Sequence, residues 1–334
     1  MVSERSAVKR YGIVLEGVNI PVAELLERAR MVEKAGVDSV WLVQLPTIRD
    51  TASVLAAMAV STERVQLAAG VLPYYSRPPV MMAQTAATID ELSGGRFTLA
   101  VGTGHRMTAE WSLGRAPGPA VREMREYLGA VRGLLNDGEV NVDGEWFRAH
   151  GVYSSPRRVG QPIYLGTFGP KMCRLAGEHA DGLLLWMCTP EYIREVALPN
   201  LRAGLLQAGR DPDDFPVAVM VPGMVSDDVD ADREGVRDYL SAYTRMPNYR
   251  RMHEVSGFAD QVSGRRIGDR LLDAVSVVGD EEQVRAGVAR YHEAGVTEVV
   301  ITPMANAHKD SALLLRTAEA LAGRPDDGFG PERR

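Results

Sequence analysis

The sequence predicts an α/β protein built as a single (β/α)8 TIM barrel. Eight short, β-rich apolar runs follow one another along the chain, amphipathic helical stretches lie between them, and some of those helices stop at a small residue plus glycine just before the next run. The runs are Tyr11–Glu16, Ser39–Val43, Val65–Leu72, Phe97–Val101, Pro162–Leu165, Gly182–Trp186, Val217–Val221 and Glu298–Thr302. Between the first two lies Val22–Lys34, whose Leu25, Leu26, Ala29 and Val32 recur at spacings of three and four and so form one apolar helix face. Such a face covers the outside of a barrel strand.

The helix ends carry a local repeat. Ala35-Gly36-Val37-Asp38-Ser39-Val40 resembles Ala294-Gly295-Val296-Thr297-Glu298-Val299, and Ala180-Asp181-Gly182-Leu183 is a looser version. Glycine tolerates the left-handed conformation that ends a helix, so the repeat reads as architecture and not as chemistry. Two segments exceed a minimal barrel. Asn136–Tyr153 holds Asn136-Asp137-Gly138 and Asp143-Gly144 turn signals between β-prone pieces and predicts a hairpin inserted before the fifth barrel strand. Asp227–Asp273 is long and charged, contains the Tyr243–Tyr249 and His253–Phe258 clusters, and predicts helices capping the barrel mouth. All of 1–334 is then one domain.

The chain has 334 residues, 45% hydrophobic and 25% charged, which supports a large core within the size at which α/β barrels stay undivided. Its net charge of −6 is spread along the length without a basic run, so nucleic acid is not an expected partner. Met1–Arg10 lacks the apolar centre of a signal peptide, and no stretch approaches the roughly 18 apolar residues of a membrane span. A cytoplasmic enzyme acting on a small molecule is the expectation. Cys173 and Cys188 stand apart without metal-ligand spacing, so neither a disulfide nor a metal site is expected.

Catalytic groups of a TIM barrel sit just beyond the C-terminal ends of its strands. That rule selects Glu16 after the first run, Gln44-Leu45-Pro46 after the second, Gly70-Val71-Leu72-Pro73 at the third, Gly102-Thr103-Gly104-His105-Arg106 after the fourth, and Gly166-Thr167-Phe168-Gly169-Pro170-Lys171 after the fifth. The last of these passes through small residues into a helix with proline near its first position. Free amides at such a helix start suit a phosphate, although the same pattern also makes a simple tight turn. Gly102 and Gly104 permit close approach of a flat ligand, with the same alternative. His105 has the position and the near-neutral pKa of a general acid or base, or is a solvated loop histidine.

Trp41-Leu42-Val43-Gln44-Leu45-Pro46-Thr47-Ile48-Arg49-Asp50, then Ala69-Gly70-Val71-Leu72-Pro73 with Arg77-Pro78-Pro79-Val80 and Asp90-Glu91-Leu92-Ser93-Gly94-Gly95-Arg96, and then Gly102-Thr103-Gly104-His105 together resemble the bacterial-luciferase-like superfamily over nearly the whole chain. Gly169-Pro170-Lys171-Met172, continued by Leu175-Ala176-Gly177-Glu178, is most similar to the branch that uses coenzyme F420, which includes methylenetetrahydromethanopterin reductase and its actinobacterial relatives. The resemblance implies that Gly70-Val71 is a non-proline cis peptide backing the deazaflavin ring. It further implies that Gly102, Thr103 and Gly104 lie along the cofactor, that Gly166, Thr167, Phe168, Gly169 and Lys171 surround its phosphate-bearing tail, and that the enzyme is a homodimer.

This sequence also departs from the family. Several relatives carry Asp-His where Gln44-Leu45 stands here, and that histidine serves as a base in alcohol oxidation. Leu45 cannot move a proton. The expected reaction is therefore hydride transfer from reduced deazaflavin to an activated C=C or C=N bond, with His105 and Glu16 as the proton-handling candidates. An FMN-dependent monooxygenase on the same barrel is the alternative, and a non-catalytic binding barrel is a third.

Overall fold

Arg10–Val14 (β1), Ser39–Leu42 (β2), Gln66–Pro73 (β3) and Phe97–Gly102 (β4) begin a parallel sheet that Ile163–Gly166 (β7), Gly182–Trp186 (β8), Val217–Val225 (β9) and Glu298–Thr302 (β11) complete. The sheet closes into a ring because β11 pairs with β1 on one side and with β9 on the other. These eight strands coincide with the eight runs expected from the sequence, with ends shifted by a residue or a few. The computed structural model of the chain describes residues 9–15, 18–116, 118–304 and 310–323.

Inside the ring, inward side chains form their own packed cluster: Val14, Trp41, Ala68, Ala100, Tyr164, Leu184, Ala218, Met220 and Val300. The tilted Trp41 and Tyr164 rings, 6.4 Å apart, are accommodated because Ala68, Ala100 and Ala218 are small. One polar patch lies among them. The Trp41 indole N–H donates to Ser39 Oγ (2.8 Å) and Glu298 Oε1 (3.2 Å), and the Ser39 hydroxyl donates to the same carboxylate oxygen. Outside the ring, the helices bury the larger core, with Leu25, Ala29 and Val32 of Val22–Ala35 fully enclosed.

The helix-ending glycines are of two kinds. Gly36 (φ 97°) and Gly295 (φ 96°) adopt the left-handed conformation that the repeat implies. Gly182 does not. It is the first residue of β8, and a Cβ there would fall 2.3 Å from the Tyr164 ring, so it is small because the barrel interior requires it.

Two further pairings lie off the ring. Glu139–Asp143 (β5) and Arg148–Val152 (β6) form an antiparallel hairpin, whose turn is held by Glu126 accepting the amides of Glu145 (3.1 Å), Trp146 (2.8 Å) and Phe147 (3.1 Å). Val277–Gly279 (β10), unforeseen from the sequence, pairs with Gly223–Val225 after β9 has parted from β11 at Pro222. Three residues are too short to show a strand period.

Asp90–Arg96 proves to be a structural corner at the base of the barrel. The Asp90 carboxylate receives two bonds from Arg158 (2.9 and 2.8 Å), while Gly94 and Gly95 turn left-handed. Arg96 then reaches back to the carbonyls of Ser93 (2.7 Å), Val65 (2.8 Å), Ala59 (2.9 Å) and Thr62 (2.9 Å). Replacing Arg96 by methionine leaves those carbonyls without their donor, and urea denaturation should show a loss of stability on the order of 3 kcal/mol. A loss below about 0.5 kcal/mol would show that solvent replaces the guanidinium without cost.

Candidate functional site

The floor of the mouth is set where the inner cluster ends. Val43, Val71 and Trp186 pack on it from above, at the C-terminal ends of β2, β3 and β8. The Gly70-Val71 peptide is cis, and the pairing of β3 with β4 shifts register between Gly70 and Leu72. Val71 thereby points toward Gly102 and Gly166. A Cβ on Gly166 would lie 2.2 Å from Val71 Cγ1, and one on Gly102 would lie 3.0 Å from Val71 Cγ2. The space freed by these two glycines is taken by the Val71 side chain.

Beyond Gly102 the chain turns sharply. Gly104 is left-handed (φ 56°), and a Cβ there would meet the Tyr75 hydroxyl at 2.3 Å. The same hydroxyl donates to the His105 carbonyl (3.3 Å), which fixes the residue that precedes the helix Arg106–Leu113. The Thr103 hydroxyl donates to the Gly104 carbonyl (3.3 Å). The His105 ring lies against Tyr243 (5.6 Å between centroids) and Tyr249 (6.1 Å). Both tyrosines come from the helices Val229–Tyr243 and Pro247–His253, which follow β9. Burial under them lowers the His105 pKa, so the ring is neutral at pH 7.

On the neighbouring side, β7 runs through Gly166 and Thr167 into the helix Pro170–His179. Thr167 N–H donates to the Leu184 carbonyl (2.9 Å), and the Tyr192 hydroxyl donates to the Phe168 carbonyl (2.9 Å). The Phe168 ring lies tilted against Tyr249, with centroids 4.7 Å apart. The amides of Phe168, Gly169 and Lys171 have no acceptor among the described residues, the helix start has no side-chain cap, and Lys171 is exposed beside it. Unpaired amides at the positive end of a helix are what an anionic tail requires. The helix start and Lys171 therefore fit a phosphate-bearing tail.

In the loop after β2, Leu45 carries no proton-transfer group, and the one carboxylate, Asp50, caps the following helix and pairs with Arg77. Gln44 braces the loop, accepting the Thr51 amide (2.9 Å) and donating to the Leu45 carbonyl (3.0 Å). Glu16 lies outside the described residues. Among the described residues no cluster of three or more His, Cys, Asp or Glu is placed to hold a metal, and no helix is long and apolar enough to cross a membrane. Cys173 and Cys188 are buried and unpaired, and burial pushes both thiols up, Cys173 to about 12.

The sequence profile of the luciferase-like monooxygenases matches residues 5–298. The chain belongs to this family. A methylenetetrahydromethanopterin reductase of Archaeoglobus fulgidus is 30% identical over 83% of this chain and 88% of its own length. A putative coenzyme F420-dependent oxidoreductase of Mycobacterium tuberculosis is 32% identical over 84% of this chain and 90% of its own. The solved F420-dependent tetrahydromethanopterin reductase of Methanopyrus kandleri superposes with a TM-score of 0.78, covering 95% of this chain and 98% of the other, at 22% identity.

Within the luciferase-like barrel, sequence reasoning missed Trp186 and the turn behind it. Met187 is left-handed (φ 57°), a conformation uncommon outside glycine, and it follows the tryptophan that stands 5.9 Å from Tyr243. A strand-ending tryptophan was the only signal. His253 opens the second cluster noted in the capping insertion. It is fully buried and neither ring nitrogen has a partner among the described residues; burial pushes its pKa down to about 4. An unfolded histidine binds its proton near pH 6.5, so below that pH the unfolded chain holds more protons than the folded one and stability falls as pH falls. The contribution of His253 is lost between about pH 6.5 and about pH 4, in total roughly 3 kcal/mol. Urea denaturation at pH 7 and pH 4.5 should show a smaller acid loss for His253→Leu than for the wild type, by about 2 kcal/mol; equal losses would mean that the ring is hydrated in the folded state.

Proposed function

We propose that this chain is a coenzyme F420-dependent reductase that adds hydride to an activated C=C or C=N bond of a small organic substrate. The observation that carries the reading is the pairing of two features at one mouth: an uncapped helix start with unpaired amides at Phe168, Gly169 and Lys171, and a half-buried histidine, its pKa lowered by that burial, on the adjacent strand end. The F420-dependent relatives in two organisms support the cofactor. When bound, the reduced deazaflavin supplies hydride and, having carbon in place of the flavin N5, does not activate oxygen.

The chain's own residues would divide the work. The Phe168, Gly169 and Lys171 amides and the Lys171 ammonium hold the anionic tail. Val71, with Gly102, Thr103, Gly104, Gly166 and Thr167 around it, backs the flat ring. Tyr243 and Tyr249 pack beside the His105 ring and leave it partly open to solvent. Hydride reaches one end of the double bond and a proton must reach the other; His105 delivers that proton from its protonated ring and regains it from solvent. Leu45 leaves the second strand end without a base, which favours reduction over alcohol oxidation.

Anaerobic titration followed by absorbance should show F420 binding at least tenfold more tightly than FMN. FMN co-purifying with the protein, or equal affinity, would move the chain to the oxygenases of its family. In steady-state assays His105→Asn should lower turnover by about 10²-fold while F420 affinity stays within about threefold. Because burial lowers the pKa of His105, turnover carried by its protonated form rises as pH falls below 6.5, and the variant should lack that rise. Glu16→Gln, assayed in parallel, separates the second candidate: if only that variant loses activity and its pH limb, the proton belongs to Glu16.

A further inference from the structure

The helical turn Tyr74–Ser76 follows β3 directly and is anchored from several directions. The Tyr74 hydroxyl donates to the carboxylate of Glu123, which is 1% exposed, and Arg115 stands 5.7 Å over the Tyr74 ring while pairing with Glu123 at 3.5 Å. The Ser76 hydroxyl donates to the Pro73 carbonyl (2.7 Å). The next residue, Arg77, pairs with Asp50 and accepts the Tyr127 hydroxyl on its own carbonyl (2.9 Å). Tyr75 packs edge-on against Tyr74 at 5.4 Å, so its ring belongs to this fixed turn, and its hydroxyl reaches across to the His105 carbonyl (3.3 Å).

The segment it reaches is held far less firmly. Gly102-Thr103-Gly104 joins β4 to the helix Arg106–Leu113, and two glycines in three residues leave that connection free to swing. The helix start has no side-chain cap. Two further bonds, Thr103 hydroxyl to Gly104 carbonyl (3.3 Å) and Ala109 amide to His105 carbonyl (3.1 Å), lie inside the segment and cannot tie it to the barrel. Among the described residues, Tyr75 is the one group outside the segment that hydrogen-bonds to Thr103, Gly104 or His105. A carbonyl oxygen has two lone pairs, so the His105 carbonyl takes the Ala109 amide and the Tyr75 hydroxyl together. Burial pushes the Tyr75 hydroxyl up to about 12, which keeps it a donor.

We propose that Tyr75 is the positioning residue of the proton donor: its hydroxyl pins the His105 carbonyl to the anchored turn after β3 and so holds the imidazole in one place at the mouth, without touching the acceptor itself. The proposal rests on the reading of His105 as the donor. The peptide group is planar, so a fixed carbonyl fixes the backbone from which the His105 side chain projects. Val71 and Tyr75 leave the same strand end, and the side chain that backs the cofactor ring thereby shares one frame with the tether of the proton donor.

Tyr75→Phe keeps the ring against Tyr74 and removes the donor alone. In NMR spectra of histidine-labelled full chain, with neither cofactor nor acceptor added, the His105 ring signal is identified by its loss in His105→Asn. In Tyr75→Phe it should move further than the signals of His150, His179 and His292, which lie on the hairpin and in the last turns of their helices. In the anaerobic reduction of cyclohexenone by reduced F420, the variant should lose about tenfold in kcat, with KM for cyclohexenone and F420 affinity within about threefold. In the His105→Asn background the same substitution should change kcat by less than about twofold, because no imidazole is left to place. A His105 signal that moves no further than the three controls would overturn the proposal. So would a kcat loss of the same size in the His105→Asn background, which would make Tyr75 a contact of the acceptor in its own right. If His105→Asn is as active as the wild type, or cyclohexenone is not reduced, the reading of the reaction fails and the ring signal alone decides whether Tyr75 places His105.

Discussion

Closing eight parallel strands leaves an interior that must be filled by side chains, and this constraint governs the rest of the molecule. Trp41 and Tyr164 supply most of the bulk, alanines opposite them make room, and Gly182 gives up its side chain to the Tyr164 ring. Where that filling ends, Val71 takes over, occupying the space that Gly102 and Gly166 leave at the ends of β4 and β7. The glycines at the mouth are thus bound to the packing of the barrel as firmly as to any ligand. A substitution there displaces Val71 before it touches a bound molecule.

Polarity is distributed with the same economy. The base of the barrel is secured by ionic groups whose bonds go mainly to backbone: Arg96 to four carbonyls, and Glu33 to the amides of Glu63, Arg64 and Val65. Around His105 at the mouth, the neighbours are aromatic rings. His105 therefore stays neutral by burial, a setting in which one proton has a large effect on what the ring can bond.

The barrel was legible because its period is local. Each strand declares itself within five or six residues, and Gly36 and Gly295 mark helix ends by a conformation that few other residues adopt. β10 was illegible because three residues carry no period. At the mouth, Gly166 through Lys171 could be read from a strand passing into a helix, and the absence of a base at Leu45 from the residue type alone. The meeting of His105 with Tyr243 and Tyr249 could not, since it joins a strand end to an insertion far along the chain and depends on how that insertion lies. The Ser93-Gly94-Gly95-Arg96 segment was legible only as resemblance; its physical role is to knit a corner.

The pairing of β1 has a consequence for the order of assembly. β1 is made first, and one of its two partners, β11, is made almost last, with Arg10 opposite Glu298. During synthesis, β1 keeps an open edge of unsatisfied amides and carbonyls until nearly the whole chain has left the ribosome, the situation in which strands join the wrong partner. Closure also needs the final helix Ser311–Ala322, whose Thr317 hydroxyl accepts the Val225 amide (3.0 Å) on β9 beyond the point where it parts from β11. A nascent chain halted before residue 311 would hold every barrel strand and still lack this clasp. Barrel closure therefore waits on its C-terminal strand and helix.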